Sequence, residues 1–254
     1  FFKQKTAYEI KECDWSSDVC SSDLVGLGGG IVTVPVLTFI GVPHTLASSS
    51  SLFAAFSNSI ASTASYARQK RVDYKNGLRL GLMSVPGTIL GAILSGSATS
   101  EMFKILFAVV LGGSCYYMFM KRNLEPKQKT MSAKIVAFSM GVSFFAGVLS
   151  SFFGIGGGVV FVPLMIVGLG ILVKNATATS QLILMFSSAS GLITHVLLGH
   201  ADFEYAVFLA IGAFVGGLIG ARLSLEIKEN KLRLIIIAVI LAAAAKLILD
   251  ALGI

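Results

Sequence analysis

Gly154-Ile155-Gly156-Gly157-Gly158-Val159-Val160-Phe161-Val162-Pro163-Leu164 decides the reading of this chain, because the pattern occurs twice. Its echo is Gly26-Leu27-Gly28-Gly29-Gly30-Ile31-Val32-Thr33-Val34-Pro35-Val36, 128 positions earlier (154 less 26). Each copy sets a knot of glycines, where backbone can bend or be approached closely, before a short apolar run closed by proline. Each lies in very hydrophobic sequence, so the knots mark broken places in membrane-spanning regions. Unwound backbone survives in a bilayer only against protein or a water-lined cavity. Two breaks at matching positions of two halves form the sequence pattern of a solute site at a repeat interface.

The surrounding composition agrees. Hydrophobic residues make up 55% of the chain and charged ones 13%, with a mean hydropathy of +0.83. That is too apolar for an ordinary soluble domain. Apolar stretches run over 134–153, 158–173, 176–198, 204–225 and 234–253. Most reach the ~20 residues that cross hydrocarbon, and 158–173 falls just short. The net charge of +7 does not signal nucleic acid, because the basic residues sit in short loops between apolar segments. The expected fold class is an all-α polytopic membrane protein in contact with the lipid bilayer.

Residues 1–24 do not fit this pattern. They are polar, hold Trp15, Cys13 and Cys20, and lack the organisation of a signal peptide. By the repeat they stand where the first half should carry its first helix. Their sequence resembles translated adapter read-through, so they are read as a non-native segment that replaces that helix. Cys115 remains, in an apolar helix, as a small buried hydrophobe.

The repeat continues past the glycines. At an offset of 129, Ala47-Ser48-Ser49-Ser50-Ser51 faces Ala176-Thr177-Ala178-Thr179-Ser180, and Val72-Asp73-Tyr74 faces Ala201-Asp202-Phe203. Gly87-Thr88-Ile89-Leu90-Gly91-Ala92 faces Gly216-Gly217-Leu218-Ile219-Gly220-Ala221. Two transmembrane repeats, 25–120 and 134–254, are therefore joined by a charged linker, 121–133. Arg68, Lys70, Arg71 and Lys75 crowd one loop, whereas its counterpart around His200 and Asp202 has no Lys or Arg. Equivalent loops of opposite charge character belong on opposite sides of the membrane, with Lys and Arg inside. About five spans per half give that inversion. Four spans, with the glycine-led segments re-entrant, would place Lys174, Arg222, Lys228, Lys231 and Arg233 outside, which that bias disfavours.

At Gly28, Gly29 and Gly30, and at Gly156, Gly157 and Gly158, successive amide N–H groups can form a concave nest. A helix starting just after each would aim its positive dipole end the same way. That combination favours a small anion. Ser50 and Ser51, and Thr179, Ser180 and Gln181, open the next helix of each half and add uncharged donors. Against this stands the plainer reading in which glycines only allow close packing and hydroxyls bond back to their own helix. For the duplicated pair together the site is the preferred reading. Asp73 and Asp202 are expected to cap helices or meet solvent. His44, His195 and His200 are expected as scattered histidines near the outer face, with a proton-linked role as the alternative. A dinucleotide fingerprint fails because Ile31 and Val159 stand where the third glycine would be. No phosphate loop or metal-binding motif is present, and neither a cofactor nor an enzymatic role is expected.

These residues also carry a family resemblance. Gly26 to Leu37, Gly154 to Leu164, the Ala-Ser-Ser-Ser-Ser-Leu and Ala-Thr-Ala-Thr-Ser runs, and the Gly-x-x-x-Gly-Ala of each half resemble the paired signatures of the TauE/SafE family of sulfite exporters. The resemblance covers 25 to about 252. It implies a permease of the bacterial inner membrane that moves sulfite or small organosulfur anions by alternating access, ion-coupled, with the proton as a candidate coupling ion. An anion channel and a membrane scaffold without a solute path are the alternatives. Neither the solute nor an oligomeric state follows from the family name. The topology predicts that single cysteines at Lys127 and Ala201, in a Cys115-free background, react with impermeant thiol reagents from opposite sides of the membrane. Labelling of both from one side would sink the inverted arrangement.

Overall fold

The computed structural model describes residues 33, 34, 37, 41–120, 133–200 and 203–223. Every regular element among them is helical: α1 (His44–Arg68), α2 (Tyr74–Ser95), α3 (Ser100–Met120), α4 (Ala133–Phe153), α5 (Gly158–Pro163, widening to a π-turn over Leu164–Gly168), α6 (Val173–Leu197) and α7 (Phe203–Leu223). The segment 1–24, the first glycine knot, most of the linker and the chain beyond 223 lie outside the described residues.

Local chemistry sets the boundaries. Pro43, extended at ψ 139°, precedes α1 and lends its carbonyl to Ala47 N–H. Asp73 caps α2, accepting from Asn76 N–H at 3.2 Å and from the Asn76 amide at 2.6 Å, which is the capping role expected of it. The six longer helices run 21 to 25 residues, a rise of about 31–38 Å that matches the ~30 Å of hydrocarbon. By length and hydropathy, α2 and α6 qualify as membrane-crossing helices.

Burial follows the logic of lipid. Large apolar side chains face outward: Leu82 is 55% exposed, Phe145 68% and Phe208 72%. The interior instead holds Ser48 to Ser51, Asn58, Ser59 and Ser62 of α1, with Thr177, Thr179, Ser187 and Ser188 of α6. When the solvent is as apolar as leucine, burying leucine gains little. Packing and internal hydrogen bonds then hold the helices together.

The contacts give each helix a direction. Tyr66 packs with Ala178 and Ala221 at one end, and Ser49 Oγ donates to His200 O at the other. Hence α1 and α6 are antiparallel. Helix α7 runs alongside α1 in the same direction, through Ser57 to Ala210 O, Ser62 to Gly217 O and Gln69 to Ala221 O. Helix α4 runs alongside α2, with Ser143 Oγ donating to Leu80 O at 2.6 Å. That second pair is backbone-close. A Cβ on Gly91 would run into Val148 O, and one on Gly147 into Ser84 O. Arg71 bonds Lys174 O at 2.7 Å and lies over the Tyr66 ring, so Arg68, Lys70, Arg71, Lys174 and Arg222 share one end of the bundle.

The stretch 158–173 departs from the expected near-span. Its helical part, Gly158 to Gly168, is eleven residues, a rise of about 16 Å or half the hydrocarbon. Pro163 sits where it widens into the π-turn, as expected for a residue that lacks an amide hydrogen. Yet α4 ends beside α1's first turns, where Ser48 Oγ donates to Phe152 O, and α6 begins beside Arg71 at the far end. The chain from 154 to 172 therefore travels from one end of the bundle to the other, unwound first and helical afterwards. It does not turn back in the re-entrant manner.

The crossing of α2 and α4 makes a prediction. Gly91→Ala should lower stability by about 1–3 kcal/mol, since carbonyl oxygens occupy the space for a methyl group. Gly112→Ala, where a Cβ meets nothing within 4 Å, should be neutral or stabilising by up to ~1 kcal/mol. Thermal unfolding in detergent compares them, and equal melting temperatures would contradict the close crossing.

Candidate functional site

The unwound part of the crossing is built from four residues. Gly154, Gly156 and Gly157 have φ of +72°, +77° and +91°, and Ile155 N–H returns to Ser150 O at 3.1 Å. Two of these glycines are required for separate reasons. Gly154 lies so near α1 that a Cβ would come within 2.5 Å of Ser48 Cα. Gly157 combines left-handed backbone with a place where a Cβ would meet the Phe161 ring at 2.6 Å and Ser150 Cβ at 3.2 Å.

Two hydroxyls hold this backbone. Ser51 Oγ of α1 donates to Gly154 O at 2.7 Å, and Ser187 Oγ of α6 donates to Gly156 O at 2.8 Å. The knot lies seven residues into α1 from His44 and thirteen from the end of α6 at Leu184, which puts it about 10–20 Å below that end of the bundle. Gly157 O accepts from Val160 and Phe161 N–H. The N–H groups of Gly158 and Val159, in the first turn of α5, have no partner within the helix.

The other candidates divide. Gly156, Gly157 and Gly158 stand together at the knot, while Gly28, Gly29 and Gly30 lie outside the described residues. Ser50 is buried on α1 at 3% exposure. Thr179 Oγ1 accepts from Asp73 N–H at 3.0 Å, which ties the α1–α2 loop to α6. Ser180 Oγ donates to Thr177 O of its own helix at 2.8 Å. Gln181 is different: it is fully buried, and neither its amide nitrogen nor its amide oxygen has a hydrogen-bond partner. It sits about one turn from Ala178, which packs on Tyr66, and from Leu184, which lies against Gly156. Its level thus matches the α1 stretch between Ala55 and Tyr66, where Thr63 Oγ1 is also buried without a partner.

The sequence reading missed Ser187, although it stands two turns after Ser180 on one face of α6. It also misjudged His195. His195 is fully buried rather than scattered on a surface, its Nε2 lies 3.1 Å from Ser151 O, and its ring is 5.5 Å from that of His200. The spacing of Ser188, Gly191 and His195 places His195 on the buried face of α6. Among the described residues no three His, Cys, Asp or Glu come together as a metal site.

An apolar exterior, a hydroxyl-lined interior and a broken crossing pinned at mid-depth define an α-helical membrane protein with polar backbone inside it. The chain belongs to the TauE/SafE sulfite exporter family, whose model matches residues 20–247. Similar proteins include a probable membrane transporter protein of Bacillus subtilis, 31% identical over 89% of this chain and 92% of its own. Another from Methanocaldococcus jannaschii is 29% identical over 85% and 86%, and one from Escherichia coli is 27% identical over 91% and 86%. No solved structure matches this chain. Family and relatives make it a membrane transporter.

The unpaired amide gives a test of stability against function. Gln181→Leu should raise stability by about 1–3 kcal/mol, because a buried amide without partners carries its full desolvation cost. The same change should weaken solute binding. Gly157→Ala should lower stability by roughly 1–2 kcal/mol or more through its backbone conformation. Melting temperatures of both variants check this, and a destabilised Gln181→Leu would mean that the amide is bonded after all.

Proposed function

We propose that the protein is a secondary transporter that exports sulfite or small organosulfur anions by alternating access between two inverted halves of about five segments each, 25–120 and 134–254. The observation that carries the reading is the crossing unwound at Gly154–Gly157 in the middle of the bundle, with its sequence echo at Gly26–Gly30. Interrupted crossings of this kind present backbone groups to a solute at the repeat interface. The anion would be met by the N–H groups at the start of α5, by the matching knot of the first half, and by the amide of Gln181. Among the described residues no carboxylate is buried beside them to repel it.

Helix directions support the inversion. The 129-residue offset pairs α1 with α6 and α2 with α7. An exchange of antiparallel α1 and α6 carries the parallel pair α1–α7 onto the parallel pair α6–α2, where Asp73 N–H meets Thr179 and Cβ positions on Gly77 and Gly81 would touch Leu182 and Phe186. With the basic end in the cytoplasm, as Lys and Arg bias requires, the knot opens toward the outer half of a bacterial inner membrane. Residues 1–24 are treated as non-native.

The test is flux. The chain, with 1–24 replaced by an apolar helix of ~20 residues, is reconstituted in liposomes and given labelled sulfite, thiosulfate, sulfonates, sulfate and carboxylates. Saturable counterflow of sulfite or a sulfonate is expected. Gly157→Ala should reduce it by about tenfold, equivalent to 1.4 kcal/mol of lost binding. Conductive current without saturation would mark a channel, and no flux of any anion would end the transporter-of-anions reading.

A further inference from the structure

We propose that His195 and His200 form a proton-binding site that couples proton movement to the solute cycle, a proposal that rests on the transporter reading above. Among the described residues no Lys, Arg, Asp or Glu is buried, whereas His195 is fully so. An ionisable side chain inside a membrane bundle is costly and by default functional.

The geometry specifies its chemistry. His195 Nε2 faces the Ser151 carbonyl at 3.1 Å. A carbonyl only accepts, so Nε2 carries the hydrogen, and Nδ1 of the neutral ring is a bare lone pair. That Nδ1 is buried with no partner, as are Nδ1 of His200 and Oγ of Ser151. The two rings are 5.5 Å apart, and the Ser151 hydroxyl lies against Gly191, one turn before His195. Three unpaired polar atoms so grouped in an apolar bundle call for a guest. Among the described residues the two imidazoles have no carboxylate or thiol beside them, which makes a poor metal site. Lone pairs disfavour an anion until a proton has turned one into a donor. The guest that fits is therefore a proton, passed between the rings directly or through one water.

Placement supplies the coupling. Ser151 lies three residues before Gly154. His200 O is held by Ser49 Oγ at 2.6 Å, and Ser49 adjoins Ser48, which packs on Gly154. The pair thus touches α4, α6 and α1, the same three elements that hold the knot. Ligands at two sites sharing such contacts shift each other's affinity. In sequence, Asp202 and Glu204 follow His200 by two and four residues; the other titratable groups described at this end are few. Helix α1 contributes His44, whose ring nitrogen is engaged with Ser95 O and whose ring packs on Phe103. Helix α3 contributes exposed Glu101, and the adjoining ends of α2 and α4 contribute none.

The experiment uses the reconstituted protein with labelled sulfite and a trapped pH dye. His195→Gln keeps a donor for Ser151 O but cannot bind a proton. It should retain sulfite exchange at equal pH within about threefold, while accumulation driven by a pH gradient and the accompanying proton uptake fall by about tenfold or more, within the usual range of coupling. His200→Gln should reduce coupling in the same direction, and His44→Gln should leave it unchanged. Full coupling in His195→Gln, or exchange in the wild type without any response to a pH gradient, overturns the proposal. Should the wild type move no sulfite, the anion reading fails separately, and nitrogen NMR of the histidines decides. His195 should then take up a proton on acidification, with a midpoint that moves in His200→Gln. A ring that stays neutral throughout, or is indifferent to His200, overturns it.

Discussion

An unpaired backbone carbonyl cannot face hydrocarbon, and the rest of this structure accommodates that constraint at Gly154–Gly157. The knot exposes carbonyls at a depth where no lipid group can bond them. Ser51 and Ser187 bond two of these carbonyls from opposite helices, and reaching them requires α1 and α6 to approach closely. Gly154 permits the approach on one side. On the other, Gly191 has no side chain to obstruct Ser151 and Leu52. The close approach of α1 and α6 thus follows from holding an interrupted backbone between them.

The same constraint explains why the interior is rich in hydroxyls rather than in large apolar groups. Lipid offers no reward for hiding leucine, so the outer faces of α2 and α7 keep their leucines, isoleucines and phenylalanines. Small polar residues inside allow near contact, and most close their own bonding locally: Ser84 to Gly81 O, Ser95 to Ala92 O, Ser188 to Leu184 O. Local closure costs the fold little. Buried polar atoms without any partner then stand out, and some of them fall on either side of the knot. Gln181 and Thr63 lie on the inner side of the knot, and Ser151, His195 and His200 on the outer side.

A transporter needs both a held site and a movable one. The α2–α4 pair, backbone on backbone at Gly91 and Gly147, has the character of a rigid unit. The unwound stretch 154–157 is held between α1 and α6 by two hydroxyl bonds, while α5 packs Phe161 and Met165 into the core. Such hydroxyl bonds contribute only about 1 kcal/mol each in net terms, far less than a backbone-close helix crossing.

The sequence by itself determined the class of fold, the place of the break and the family, because hydropathy, glycine clustering and a repeated motif are local properties written in order along the chain. It also determined the Asp73 cap, whose partner Asn76 is three residues away. The length of the helix after the knot was less legible: Val159 to Gly170 reads as apolar throughout, with Pro163 the local sign of the π-turn that follows it. The tertiary structure decided which hydroxyls are engaged and which polar groups are not. Ser51 and Gly154 are 103 residues apart, and Ser151 and His195 are 44 apart. Neither pairing has a local signal. A buried imidazole and a surface one are written with the same letter, and they differ only in what the other helices bring against them.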